Sequence, residues 1–182
     1  MKYLEKTPRR PRAERGFTML EFTLFVIIMI LLIGGYARVT RYYQEQMEEV
    51  AVKLTLSHMR VGMALDWASR ISKGENKAGV SALIGSNPVA WLDEPPVNYL
   101  GEIKTPKLER YEEGRWLFDV GRKELVYIVK NSDHLILKNS FDEVRVLRWQ
   151  VRLSKSKQNK NQTPEFGDLE IAPVYEYKWF GQ

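Results

Sequence analysis

The stretch whose reading decides the fold is Gly16-Phe17-Thr18-Met19-Leu20-Glu21, followed by FTLFVIIMILLIGGYA from Phe22 to Ala37. As a helix, the uncharged run from Phe22 to Ala37 rises about 24 Å, short of a hydrocarbon core of about 30 Å. Counted from Phe17 the rise is about 31 Å, enough to span, but the span then includes Glu21. A carboxylate inside a membrane helix costs on the order of 3 kcal/mol at the centre and less near an end. Glu21 therefore requires an explanation.

Residues 1–16 read MKYLEKTPRRPRAERG, with Lys2, Lys6, Arg9, Arg10, Arg12 and Arg15 set against Glu5 and Glu14. Their net charge is +4 of the chain's total +5, which leaves +1 for residues 17–182. The pI near 9.3 is thus a property of a short leader. The nearly neutral remainder argues against nucleic-acid binding by bulk charge. A secretory signal would place a small-residue cleavage site after the apolar run, whereas Arg38-Val39-Thr40-Arg41 follows Ala37. A plain single-pass anchor accounts for the basic flank and leaves Glu21 as an accident.

Charged leader, Gly16, Phe17 and Glu21, in that order before an apolar helix, resemble the class III signal of type IV pilins and type II secretion pseudopilins. The resemblance implies cleavage by a prepilin peptidase between Gly16 and Phe17 and N-methylation of Phe17. Glu21 becomes the fifth mature residue, and the resemblance implies that it neutralises the Phe17 amine of a neighbouring subunit. An ammonium on the end of an apolar helix is expensive without such a partner, so the pairing would fix axial register. A slip along the helix would leave both charges uncompensated.

Apolar periodicity continues past the span. Tyr43, Met47, Val50, Leu54, Val61, Leu65 and Ala68 form one stripe; Val52, Leu56, Met59, Met63 and Trp67 form a second, nearly opposite. No Pro interrupts residues 17–72, and Lys73-Gly74 supplies a stop. The pattern predicts one helix of roughly 55 residues, about 80 Å by rise. One stripe is expected on the protein's own sheet and the other against neighbouring helices, with a coiled-coil dimer as the plainer alternative. The Met residues of the second stripe suit adaptable packing. Gly34-Gly35 marks a place where the helix can bend or loosen. Many pilins carry a Pro in this half; this chain does not.

From Gly74 the character changes. Residues 74–113 read as Gly- and Pro-punctuated loop with a short helix near Ala78–Ile84. Trp116–Phe118 and Leu125–Val129 flank a turn at Val120-Gly121-Arg122, a predicted hairpin. Leu135–Leu137 and Val144–Leu153 follow as strands; in the latter Leu147, Trp149, Val151 and Leu153 share one face and Arg148, Gln150 and Arg152 the other. Ile171–Phe180 reads as a last strand at an edge, because Pro173 lacks a ladder donor. The expected fold is α+β: a long N-terminal helix packed on an antiparallel sheet of about four or five strands, as the pilin resemblance also implies. The divisions are 1–16 leader, 17–37 membrane or filament-core helix, 38–73 amphipathic continuation and 74–182 globular domain.

The chain has no Cys, which removes disulfides, thiolate metal sites and the Cys pair that closes a C-terminal loop in many pilins. His58 and His134 lack a partner set for catalysis, and Asp93-Glu94 lacks the D-x-D-x-D-G spacing of a calcium loop. The Lys155–Lys160 run reads as a solvated loop within the polar stretch Ser154–Gly167, in preference to a DNA or receptor contact. No metal, cofactor or catalytic residue is expected, and the chain reads as a non-enzyme. The resemblance implies a structural subunit, a minor or major pilin (a mannose-sensitive haemagglutinin-type pilus being one home) or a pseudopilin. Its implied partners are other subunits, the prepilin peptidase and an inner-membrane assembly platform. The precursor would be single-pass in the inner membrane with a periplasmic C-terminus, then part of a pilus or periplasmic pseudopilus. The alternative is an uncleaved single-pass scaffold whose periplasmic domain binds partners.

Overall fold

A computed structural model describes residues 18–73, 83–138, 144–154 and 169–180. The predicted helix near Ala78–Ile84 falls largely outside them, as does the Lys155–Lys160 run. The chain divides into two compact units, Met1–Thr40 and Arg41–Gln182. Helix α1, Met19–Ser72, contributes to both. Around it the order is β1 (Tyr99–Ile103), β2 (Trp116–Asp119), β3 (Glu124–Ile128), β4 (Leu135–Leu137), β5 (Val146–Leu153), β6 (Leu169–Pro173) and β7 (Tyr177–Trp179). The class is α+β, as the sequence implied.

In the second unit α1 turns Val52, Leu56, Met59, Met63 and Trp67 inward, at spacings of three and four residues. These residues join Trp116, Phe118, Leu125, Leu147, Trp149 and Val151 from the sheet in one core. Met59 and Met63 share that core with Trp67, Trp116 and Trp149, and an unbranched thioether suits packing among large rings. The opposite face of the sheet is also apolar. Leu117, Val126, Ile128 and Val146 lie there, covered by Ile103, Leu108, Tyr111 and Val144. The sheet is therefore sandwiched between a helix and a loop. Arg148, on this second face of β5, is buried and reaches Glu124 at 3.0 Å.

The main sheet has five strands in the order β1-β2-β3-β5-β6, and β4 pairs with β7 in a separate two-stranded sheet. Two expectations are corrected. The sheet is mixed, because Tyr99–Ile103 forms a strand, β1, within a region read as loop, and pairs parallel to β2. A parallel neighbour needs a crossover of about a dozen residues, and residues 104–115 supply it with a 3₁₀ turn at Leu108–Arg110. The single last strand Ile171–Phe180 is in fact two. Pro173 ends the ladder with β5, opposite Trp149, and after Val174–Glu176 the chain pairs with β4 instead. The edge position of Pro173 is as expected: β6 is the outer strand.

The predicted hairpin is present, with Trp116 opposite Tyr127 and Asp119 opposite Glu124. Asp119 Oδ1 accepts from the Arg122 amide at 3.0 Å, closing the turn as an Asx cap. At the exposed edge, Arg60 of α1 donates to the Ile171 carbonyl at 3.2 Å. That contact ties the edge strand to the helix.

Gly62 sets how closely α1 approaches the 3₁₀ turn Pro88–Trp91. A Cβ at position 62 would stand 2.1 Å from the Trp91 carbonyl oxygen, a distance no packing tolerates. Backbone on both sides cannot give way cheaply. Gly62→Ala should therefore lower stability by about 2 kcal/mol, the usual range for overpacking. Urea unfolding of the detergent-solubilised chain, followed by tryptophan fluorescence, measures it; an unchanged midpoint would mean that the turn moves freely.

Candidate functional site

The N-terminal unit is described from Thr18 onward, so Gly16 and Phe17, the predicted cleavage and methylation positions, lie outside the described residues. Glu21 is described, on the first turn of α1. Its Oε2 accepts from the Thr18 amide at 2.8 Å and from the Thr18 hydroxyl at 2.9 Å, and the Glu21 amide donates back to Thr18 Oγ1 at 3.3 Å. This is a capping box: Thr18 caps the helix and Glu21, three residues on, returns to the cap's own amide. Thr-x-x-Glu before an apolar run is the sequence signature of that device, a signal the reading of Glu21 as a pairing residue passed over.

Beyond the cap, Phe22, Leu24, Phe25, Ile27, Ile28 and Ile30–Ile33 are all exposed. The hydroxyl of Thr23 is bonded to the Met19 carbonyl at 2.8 Å, so the segment presents no orphaned polar side chain there. A Cβ at Gly34 or Gly35 would meet nothing within 4 Å. Among the described residues α1 is the one helix long and apolar enough to cross a membrane.

In the second unit the two stripes separate as expected. Val52, Leu56, Met59, Met63 and Trp67 are buried, whereas Tyr43, Met47, Val50, Leu54, Val61 and Leu65 are 54–73 % exposed. At its C-terminal end the exposed stripe borders a groove of about 530 Å³, lined by His58, Val61, Leu65, Trp91, Asp93 and Glu94 among others. Asp93 and Glu94 sit at this rim. Among the described residues no group of three or more His, Asp and Glu side chains is arranged to hold a metal ion.

The polar side of α1 holds what sequence reading missed. Glu45 is 1 % exposed. It accepts from the His134 amide at 2.8 Å and from Trp179 Nε1 at 3.0 Å, and its second oxygen meets His134 Nδ1 at 2.7 Å. One turn on, Glu48 accepts from the Tyr127 hydroxyl at 2.9 Å and from the amides of Lys130 and Asn131 at 2.7 and 2.8 Å. Asn131 Nδ2 adds a fourth bond at 2.8 Å. Two carboxylates one helical turn apart thus bind the loop 130–134, β3 and β7 to the helix. His134, read as partnerless for catalysis, is a structural ligand of Glu45.

Desolvation pushes the Glu45 carboxyl up, but the hydrogen bonds from the His134 side chain and amide and from Trp179 together outweigh it, and its pKa lies below the ordinary value. Burial pushes the Tyr127 phenol up, and the charge and hydrogen bond of Glu48 push it further. The phenol therefore remains a donor to Glu48 throughout the working pH range.

No protein-family model, curated protein or solved structure matches this chain. What the geometry gives is a long N-terminal helix, apolar in its first half, whose second half packs on a sheet through one stripe. That architecture is loosely pilin-like.

Two outcomes follow from the carboxylates. Glu48→Ala leaves the amides of Lys130 and Asn131 without their acceptor and should cost about 3 kcal/mol, chiefly through unsatisfied donors. Unchanged unfolding would mean that water replaces the carboxylate at no cost. A depressed folded-state pKa contributes stability that is present above the ordinary carboxylate range and is lost as pH falls through the lower, folded value. The wild type should therefore lose its advantage over Glu45→Gln as pH falls below that range. Parallel unfolding curves with no convergence would remove Glu45 as the titrating group.

Proposed function

We propose that this chain is a structural subunit of a pilin- or pseudopilin-type filament, assembled through its N-terminal helix. The observation that carries this reading is the division of α1 into a stripe used by the domain and a stripe left exposed among the described residues. An exposed Met47–Leu65 stripe, downstream of an exposed apolar segment, is surface for neighbouring helices. On this reading the prepilin peptidase cuts between Gly16 and Phe17, Phe17 is methylated, and Glu21 compensates the new amine of a neighbouring subunit. The precursor lies in the inner membrane with its C-terminal unit on the periplasmic side, as the leader's positive charge dictates. Its work is structural and requires no cofactor.

A second reading, an uncleaved single-pass scaffold, is favoured by one specific observation. Glu21 already has an intrachain role in the cap with Thr18, and so needs no foreign amine to explain it.

Intact-mass and N-terminal mass spectrometry of the membrane-extracted protein separates the two. A methylated N-terminus at Phe17, dependent on the prepilin peptidase, is expected; an intact Met1 leader in cells with active peptidase promotes the scaffold. Glu21→Gln then divides the roles of Glu21, because Gln serves in a capping box but carries no charge. Loss of filament assembly with normal membrane insertion is expected for Glu21→Gln as for Glu21→Val. Assembly by the Gln variant would leave capping as the whole function of Glu21.

A further inference from the structure

The exposed stripe of α1 in the second unit is uncharged, but its two flanks are not. From Tyr43 to Leu65 the stripe runs through Met47, Val50, Leu54 and Val61, with Ser57 and His58 in the interval between the last two. Successive residues of a helix are rotated by about 100°. Lys53 and Arg60 each precede a stripe residue, Leu54 and Val61, so both lie on one flank. Gly62 and Asp66 each follow one, Val61 and Leu65, so both lie on the other.

The flank beyond Gly62 is acidic. The groove there, beside the turn Pro88–Trp91, is lined by Asp66, Asp93 and Glu94 and, among the described residues, by no Lys or Arg. Arg70 pairs with Asp66 at 2.8 Å, and Asp93 and Glu94 are exposed. The flank of Lys53 and Arg60 is basic. Arg60 reaches the Ile171 carbonyl at 3.2 Å, and Lys53 borders a second groove with Lys138, Lys178 and Tyr177. The acids of that groove, Glu49 and Glu176, pair with Lys53 at 2.7 Å and with Lys138 at 3.2 Å. Three carboxylates against one cation leave the first flank at −2; four cations against two carboxylates leave the second at +2.

Flanks of opposite sign decide how two copies can meet. Parallel helices bring unlike flanks together, whether their stripes face each other or lie side by side. Antiparallel helices bring like flanks together, and like charges in juxtaposition are penalised. Charged residues beside an apolar seam set partner orientation in coiled coils by the same means. Arg60 also stands at the height of the acidic groove, which takes in His58 to Asp66 on α1, so the pairing needs only a small axial offset.

We propose that a second copy of this chain docks on the exposed stripe with its helix parallel, its Lys53–Arg60 flank set against the Asp93–Glu94 groove of the first. The filament reading, on which this rests, supplies the second copy; the flanks add the direction of the contact and the residues that set it.

The chain has no Cys, so each introduced thiol reports from one place. Ala64→Cys, one turn after Arg60, and Ala90→Cys, in the acidic groove, both replace exposed residues. Full-length chains carrying one or the other, with different tags, are co-expressed in cells and treated with a short bismaleimide. Links from 64 to 90 should prevail over links from 64 to 64 or from 90 to 90. Glu94→Lys in the copy with its thiol at 90 should weaken the 64-to-90 link about fivefold, as should Arg60→Glu in the copy with its thiol at 64. The two reversals together should restore it, which a merely misfolded chain would not allow. Prevailing like-to-like links, no link at all, or a 64-to-90 link indifferent to both reversals each overturn the proposal. Any of these in cells that form filaments leaves the filament reading standing. A charge-dependent 64-to-90 link between chains that keep the Met1 leader supports the contact and removes the filament reading instead.

Discussion

A carboxylate withdrawn from water must be met by donors, and that requirement on the buried Glu45 and the half-buried Glu48 fixes much of the second unit. The donors come from segments far apart in sequence: Tyr127 at the end of β3, the amides of residues 130, 131 and 134, and the indole of β7. Each fixes the rotation of α1 about its own axis, since Glu45 and Glu48 must both point at the loop. With that rotation set, Val52, Leu56, Met59, Met63 and Trp67 fall on the sheet. The opposite stripe is then left outside by geometry, whatever its hydrophobicity. A helix with two apolar faces and one sheet can hide only one of them.

This explains what could be read beforehand. The stripes were legible because burial on a helix repeats every 3.6 residues, and both stripes keep that period over several turns. The alternation of Leu147, Trp149 and Val151 on β5 was legible for the equivalent reason in strands. Which stripe would face inward was not legible from apolar pattern alone. Met47 and Met59 are the same residue type in similar company, and the choice between them is made by Glu45 and Glu48. A glutamate on a helix ordinarily reads as a solvated charge, and nothing in positions 45 and 48 announces donors some 80 residues away. His134 was discounted for the same reason: its partner lies on another element.

The strands that escaped reading are those whose identity is given by neighbours. β1 contains Gly101 at φ +97° and exposes alternate residues, so it has neither strong propensity nor a continuous apolar face. It is a strand because the loop after it returns to cover the second apolar face of the sheet. The division of Ile171–Phe180 has a local cause that was visible, Pro173, and a distant one that was not. Released from β5, the chain has β4 to pair with, and Trp179 finds the Glu45 carboxylate.

Glu21 shows how one side chain supports two functional readings, and magnitudes decide between them. Exchanging the Thr18–Glu21 cap for water costs about 1 kcal/mol. An ammonium held in an apolar environment without a counter-charge costs several kcal/mol. If cleavage creates an amine at Phe17, a neighbouring amine therefore outcompetes the cap for the carboxylate; if no amine is created, the cap has no competitor and persists. In the uncleaved chain the same box supplies the carboxylate with two donors, which lowers the cost of desolvating it without removing its charge. The cap and the intersubunit pair are then successive states of one residue, and the peptide bond between Gly16 and Phe17 determines which state the helix can reach.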